Sequence, residues 1–249
     1  MCFNQYMDLL LFDIDGTLCK SALKIETDIG QQLERLSKKY SLGLVGGGKF
    51  NKLEDQMDSY LDIFDYVFTE NGNTLIINKE LVYKRSMREH FGSHEIKKIN
   101  EFLLKYLSEY DLPIKTGNFI DMRDGLIYFT PIGQSCTREE RKEFKILDEV
   151  LKIRLNMIKD FEDNFANSGY DLEFSLGGEI GISIYPKGWD KSYCLDYLQN
   201  KISPDVKVYY FGDKIFEYGN DYPIATHPRM TNYYSVTCPD DTLKILKDL

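Results

Sequence analysis

The 249-residue chain contains no C-x-x-C pair, and its five cysteines (Cys2, Cys19, Cys136, Cys194 and Cys238) are odd in number and scattered. That pattern suggests neither a disulfide framework nor a zinc site, and a reducing compartment fits best. No apolar stretch approaches the ~20 residues that span a bilayer. The N-terminus lacks the basic region and unbroken apolar run of a signal peptide. Positive charge is in short supply: 31 Lys and Arg against 40 Asp and Glu leave a net charge of −9, with no basic stripe. Nucleic acid and anionic membrane are therefore poor partners, and any phosphorylated ligand requires a local cationic site and a metal. Internal repeats and low-complexity tracts are also missing. The expected setting is cytoplasmic. What is present, 43% hydrophobic and 14% aromatic residues, suffices for a sizeable core in one large domain or two modest ones.

The most informative stretch is Leu9 to Thr17. A short apolar run bounded by a turn signal reads as a buried strand of a parallel sheet, and it delivers Asp13 and Asp15 beyond its carboxyl end. In open α/β sheets that is where chemistry sits. Two acids there repel one another unless a cation or proton intervenes; bound magnesium would offset that repulsion. One carboxylate would attack a phosphoryl group and the other would move protons. Downstream, the Ile25, Ile29, Leu33, Leu36 stripe predicts a helix with Thr27 as its cap. Ser41–Val45 is a second strand, and Gly46-Gly47-Gly48 after it is either a flexible turn or an anion cradle. Phe64–Phe68 and Thr74–Ile77 read as a strand and its hairpin partner.

From about Lys84 the texture changes. Ile96–Tyr110 is helix-periodic, Asn118–Thr130 alternates as an antiparallel pair turning at Arg123-Asp124-Gly125, and Arg138–Phe165 is helix-rich. Leu172–Leu176 and Ile180–Tyr185 then flank a Gly177-Gly178 turn. Helices beside an antiparallel sheet form an α+β architecture. The expected organisation is thus α/β: a doubly wound parallel-sheet core, residues 1–83 and 188–249, with an inserted α+β cap domain of antiparallel sheet plus helices, 84–187. On return, Gly188-Trp189-Asp190-Lys191 is expected to open a helix, with Trp189 as a packing anchor at the hinge. Val206–Phe211 is another buried strand that ends in an acid, Asp213, with Asp221 close behind; Tyr233–Thr237 is the last strand. Asp13, Asp15, Asp213 and Asp221 form a hard-oxygen set suited to magnesium, with Lys191 able to reach the same phosphate. Asp221, Asp240 and Asp241 read equally well as helix caps or turn acids. His90 and His94 could share a helix face, but Gly92 lies between them and no acid or cysteine completes a site.

In Asp13-x-Asp15-Gly16-Thr17, Gly212-Asp213-Lys214 and Gly219-Asn220-Asp221 the chain resembles the haloacid-dehalogenase (HAD) superfamily of phosphotransferases. Val45-Gly46-Gly47, Thr69-Glu70-Asn71-Gly72, Pro131-Ile132-Gly133-x-Ser135-Cys136, Glu140-Arg141, Gly177-Gly178 and Gly188-Trp189-Asp190-Lys191 resemble the eukaryotic phosphomannomutase family within it. The resemblance covers essentially the whole chain, cap included. It implies Asp13 as a nucleophile that becomes an aspartyl phosphate and Asp15 as general acid and base. Mg2+ would be held by Asp13, the backbone carbonyl of Asp15, and Asp213. Gly46, Gly47 and Lys191 would hold the transferring phosphate, and Arg123 and Arg141 the substrate's other phosphate. The implied reaction interconverts mannose 6-phosphate and mannose 1-phosphate for GDP-mannose synthesis. A hexose 1,6-bisphosphate activator primes the enzyme, and the implied assembly is a homodimer formed through the cap.

The chain departs from that pattern at Gln134, where the family has a further phosphate-binding arginine, and at Ala22, where another arginine is expected. Gly181 and Ser183 replace a sugar-contacting serine and aspartate, Gly48 replaces a hydroxyl, and His227 an acid of a secondary cation site. Loss of a charge-assisted hydrogen bond costs about 1.5–3 kcal/mol, so weak cap recognition pushes toward one alternative, a magnesium-dependent sugar-phosphate phosphatase of the same fold. A non-catalytic binding protein is a third reading, and intact Asp13, Asp15 and Asp213 argue against it.

Overall fold

The computed structural model describes residues 7–249, so Cys2 lies outside the described residues. The chain forms two compact units. The first takes the described chain as far as Lys84 and resumes at Trp189–Leu249; the second is Arg85–Gly188.

In the first unit β1 (Leu9–Phe12) is buried at every residue. α1 (Thr27–Leu36) turns Ile29, Leu33 and Leu36 inward. The cap expected at Thr27 is displaced: Glu26 is the N-cap, it makes no side-chain capping bond, and Thr27 is already helical. β2 (Ser41–Val45) is also wholly buried. After the glycine run come α2 (Phe50–Met57), a 3-10 turn at Asp58–Ile63, and β3 (Tyr66–Thr69). β4 (Thr74–Ile77) pairs back antiparallel on β3, and β5 (Glu80–Lys84) on β4.

The second unit opens with α3 (Met87–Phe91) and α4 (Ser93–Glu109), two helices separated by Gly92 at φ +81, so His90 and His94 do not share one helix. β6 (Ile120–Met122), β7 (Ile127–Phe129), α5 (Arg138–Leu151), α6 (Ile153–Phe165), β8 (Leu172–Gly177) and β9 (Gly181–Pro186) follow. Its sheet runs β6-β7-β9-β8, antiparallel throughout. α6 packs on β8 and β9, and Phe161 sets its ring edge-on against Phe102 and Phe129, both at 5.7 Å between centroids. Such edge-to-face packing adds to the area the rings bury.

The chain returns through α7 (Tyr193–Leu198), β10 (Val208–Gly212), α8 (Tyr222–Ala225), β11 (Asn232–Ser235) and α9 (Pro239–Asp248). The helix expected to open at Gly188–Lys191 begins only at Tyr193. The Asp190 carboxylate accepts the Ser192 N–H at 2.7 Å. That Asx turn holds the backbone out of the helix and leaves Lys191 in the segment before it. The first unit's sheet runs β11-β10-β1-β2-β3-β4-β5, parallel from β11 to β3. Period-2 alternation divides β1 between two layers. Leu10 and Phe12 join one core with Leu33, Leu53 and Leu246. Leu9 and Leu11 join another with Leu195, Leu198 and Ile224. Among the described residues no helix is long and apolar enough to cross a membrane.

Candidate active site

The parallel register sets Phe12 beside Phe211 on one flank and Leu44 on the other. Asp13, Asp213 and Gly46 therefore leave neighbouring strands at the same sheet edge, the carboxyl ends where such sheets place their ligands. Asp13 remains tied to the ladder, donating its N–H to Phe211 O at 2.9 Å. The turn beyond it is tight because Gly16 sits at φ +96, and a Cβ there would lie 2.5 Å from Asp213 Oδ2. Only glycine fits that conformation without strain.

Lys191 is fully buried at the centre of the acids. Its Nζ donates to Asp13 Oδ1 and, at 2.7 Å, to Asp221 Oδ1. Asp221 also accepts the Tyr210 hydroxyl at 2.5 Å and the Lys214 N–H at 2.9 Å. Although it occupies the N-cap position of α8, its side chain makes no capping bond; it is a wholly buried partner of Lys191. Lys214 Nζ donates to Asp213 Oδ2 at 2.6 Å. Burial pushes the Asp13 carboxyl up to about 7 against the pull of Lys191, and the charges of Asp221 and Asp213 add to the rise. Burial also raises Asp213, despite Lys214. Burial would raise Asp221 too, but Lys191 and Lys214 outweigh it and hold it below the usual carboxylate range. Lys191 moves up: burial opposes its charge, and Asp13 and Asp221 override it.

Asp15 faces a different set of groups. Its carboxylate accepts from Lys52 Nζ, from Gln56 Nε2 at 2.9 Å and from the Ala22 N–H at 3.0 Å. Burial would raise it, yet the Lys52 charge and these bonds hold it below the usual range. Lys52 and Gln56, four apart on α2, were not anticipated from sequence. They line the same hollow as Asp13, Asp15, Gly46 and Gly47. The Thr69–Asn73 turn braces that hollow. Asn71 N–H donates to Gly46 O at 3.0 Å and Glu70 N–H to Gly48 O at 3.1 Å. Asn73 Nδ2 donates to the carbonyl of buried Trp189 at 2.6 Å, two residues before Lys191.

In the second unit Arg123 follows β6. Its Nε donates to Asp121 Oδ2 at 2.8 Å, and its guanidinium carbon lies 4.5 Å from the Tyr128 ring centroid. Arg141 is in the first turns of α5, after a capping box in which Thr137 Oγ1 accepts Glu140 N–H and Glu140 Oε2 accepts Thr137 N–H. Glu140 is thus occupied by the helix end. Gln134 stands exposed in the loop before α5, its N–H on Asn118 O at 3.2 Å. Gly181 and Ser183 lie on β9, and both are buried.

Oxygens of Asp13, Asp213 and Asp221 lie within 4.8 Å of one another. Three carboxylates there face two ammonium groups, and Asp213 Oδ1 is buried without a hydrogen-bond partner. Residual negative charge and an orphaned oxygen fit a hard divalent cation.

This fold and these strand-end acids define the HAD-like class. A haloacid dehalogenase-like hydrolase from Bacteroides thetaiotaomicron superposes with a TM-score of 0.57 at 15% identity, covering 97% of this chain and 99% of that one. Within the class, the model of the eukaryotic phosphomannomutase family matches residues 29–249. A phosphomannomutase from Encephalitozoon cuniculi is 43% identical over 237 residues, 95% of this chain and 91% of its own length. Phosphomannomutase 2 of Dictyostelium discoideum is 39% identical over 241 residues, 96% and 95% of the two lengths. The chain belongs to the eukaryotic phosphomannomutase family.

Proposed function

We propose that the protein is a phosphomannomutase that interconverts mannose 6-phosphate and mannose 1-phosphate in the cytosol and feeds GDP-mannose synthesis. The observation that supports this reading is that the two carboxylates of one turn face different partners. Asp13 lies on a buried lysine among other acids, and Asp15 lies on Lys52 and Gln56 in the adjoining hollow.

A carboxylate oxygen of Asp13 attacks the phosphorus of a hexose 1,6-bisphosphate; the new P–O bond forms as the bond to the sugar oxygen breaks. Asp15 gives the leaving oxygen its proton. In the other half, ionised Asp15 takes the proton of the free hydroxyl of a hexose monophosphate; that oxygen attacks the aspartyl phosphate, re-forms the bisphosphate and frees Asp13. The bisphosphate then turns around so that its other phosphoryl group goes to Asp13. Lys191 Nζ, Gly46 and Gly47 hold the transferring phosphoryl oxygens, and a fixed ammonium in a buried site stabilises charge more than it would in water. Asp13, the carbonyl of Asp15, and Asp213 would hold Mg2+, with Asp221 adding negative charge; when bound, that ion neutralises phosphoryl charge. Arg123 and Arg141 take the phosphate that is not being transferred. Pairing of two copies through the second unit is part of this reading, and exposed Ile146 and Val150, one turn apart on α5, are apolar surface of that unit.

The test is incubation with mannose 1-phosphate, Mg2+ and a hexose 1,6-bisphosphate, following mannose 6-phosphate and free phosphate together. Mannose 6-phosphate is the expected product. The exposed Gln134 and the short backbone turn at Ala22, in place of two arginines, favour the phosphatase as second reading; predominant free phosphate would establish it. Neither product would leave a binding protein.

A further inference from the structure

On the cap sheet, register places Asp121, Tyr128, Ser183 and Ser175 in one row across four strands, on one face. Gly181, paired with Gly177, lies two residues along on the same face. The Tyr128 ring fills the space above these glycines. A Cβ at position 181 would come within 2.2 Å of its Cζ and 2.4 Å of its hydroxyl oxygen, and one at 177 within 2.8 Å of Cε2. The hydroxyl donates to Gly177 O at 2.9 Å, and the ring carries the Arg123 guanidinium, whose Nε is fixed by Asp121. The cation–π contact and the ion pair together orient Arg123. Ser183, at 4% exposure, lies beneath, its Oγ 2.7 Å from where a Cβ of residue 177 would be.

We propose that Tyr128 is the positioning and specificity-determining residue of this cap, a wedge that props Arg123 and excludes any side chain at 181 from reaching a sugar hydroxyl. Gly181 and Tyr128 are thus one coupled exchange rather than independent losses. The inference rests on the reading in which Arg123 takes the substrate's second phosphate. It makes the cap a reader of phosphates: two positions that could hydrogen-bond a sugar hydroxyl hold a glycine and a buried serine. A site without such bonds discriminates between hydroxyl epimers weakly.

Two experiments decide it. The first needs no substrate: Gly181→Ser lowers the melting temperature in the wild-type background but has little effect in Tyr128→Ala, where the ring is gone. If Tyr128→Ala does not fold, Tyr128→Leu takes its place. Equal losses in both backgrounds overturn the coupling. The second is kinetic. Tyr128→Ala raises KM for mannose 1-phosphate about five- to tenfold, the worth of one cation–π support, with kcat nearly unchanged, while Tyr128→Phe, which keeps the ring, restores it. An unchanged KM in Tyr128→Ala overturns the positioning role. The wild-type ratio of kcat/KM for mannose 1-phosphate over glucose 1-phosphate is expected within about tenfold, and a ratio of about 10⁴, the signature of hydroxyl readout, overturns the specificity role. A wild-type protein that turns over neither sugar refutes the mutase reading itself, and the melting comparison still decides whether Tyr128 and Gly181 are coupled.

Discussion

Asp13 is held in a position that costs the folded protein stability. A carboxyl whose pKa is higher folded than unfolded binds its proton more tightly when folded. The stability linked to it therefore falls as pH rises through the window from about 4 to about 7. Asp13→Asn should abolish turnover and also raise the melting temperature of the metal-free protein at pH 8, by a margin that shrinks towards pH 4. A calorimetric pH series checks both parts, and a lower melting temperature at pH 8 would contradict the assignment. Asp15 has the opposite sign. Its carboxyl is held down by Lys52, so Lys52→Met should raise it and shift the acid limb of the kcat/KM profile to higher pH. An unmoved limb would mean that Asp15 is not the group that titrates. Both acids were readable in the sequence as a pair beyond a strand end. Their separation into two environments was not, because it depends on Lys52 and Gln56, which lie some forty residues downstream and carry no motif.

Among the elements, those with a strong period were the legible ones. β2 and β4 occupy Ser41–Val45 and Thr74–Ile77, as their apolar runs imply. α2 was missed because it is short and follows three glycines, so its inward Leu53, Gln56 and Met57 include a polar residue that serves the site rather than the core. β5 was missed because it is an edge strand with an exposed, mixed pattern, and such strands carry little burial signal. The start of α7 was misplaced by an Asx turn that outweighs helix propensity locally. At Glu140 the sequence offered a motif residue, and the structure gives it a reciprocal cap with Thr137. Thr137→Ala should cost about 0.5–2 kcal/mol, read as a lower denaturant midpoint, and because Arg141 lies just beyond that cap, KM should rise as well.

At the scale of the molecule, two compact units divide the chain, and the ends of the second meet: Arg85 Nη1 donates to Gly188 O at 3.5 Å. The first unit carries the strand-end acids, and the second carries Gly181 and Ser183 beside Tyr128. The two ammonium groups, buried Lys191 and half-buried Lys214, have a further consequence, for how the protein matures. Lys191 and Lys214 already supply counter-charge to Asp13, Asp213 and Asp221, so the chain does not depend on an ion to hold its acids together. The nascent protein should fold in a metal-poor compartment and load its cation afterwards, unlike small domains that collapse only around their metal. A chelator should abolish turnover while leaving the circular dichroism spectrum intact, and Mg2+ added back should restore activity without a refolding delay.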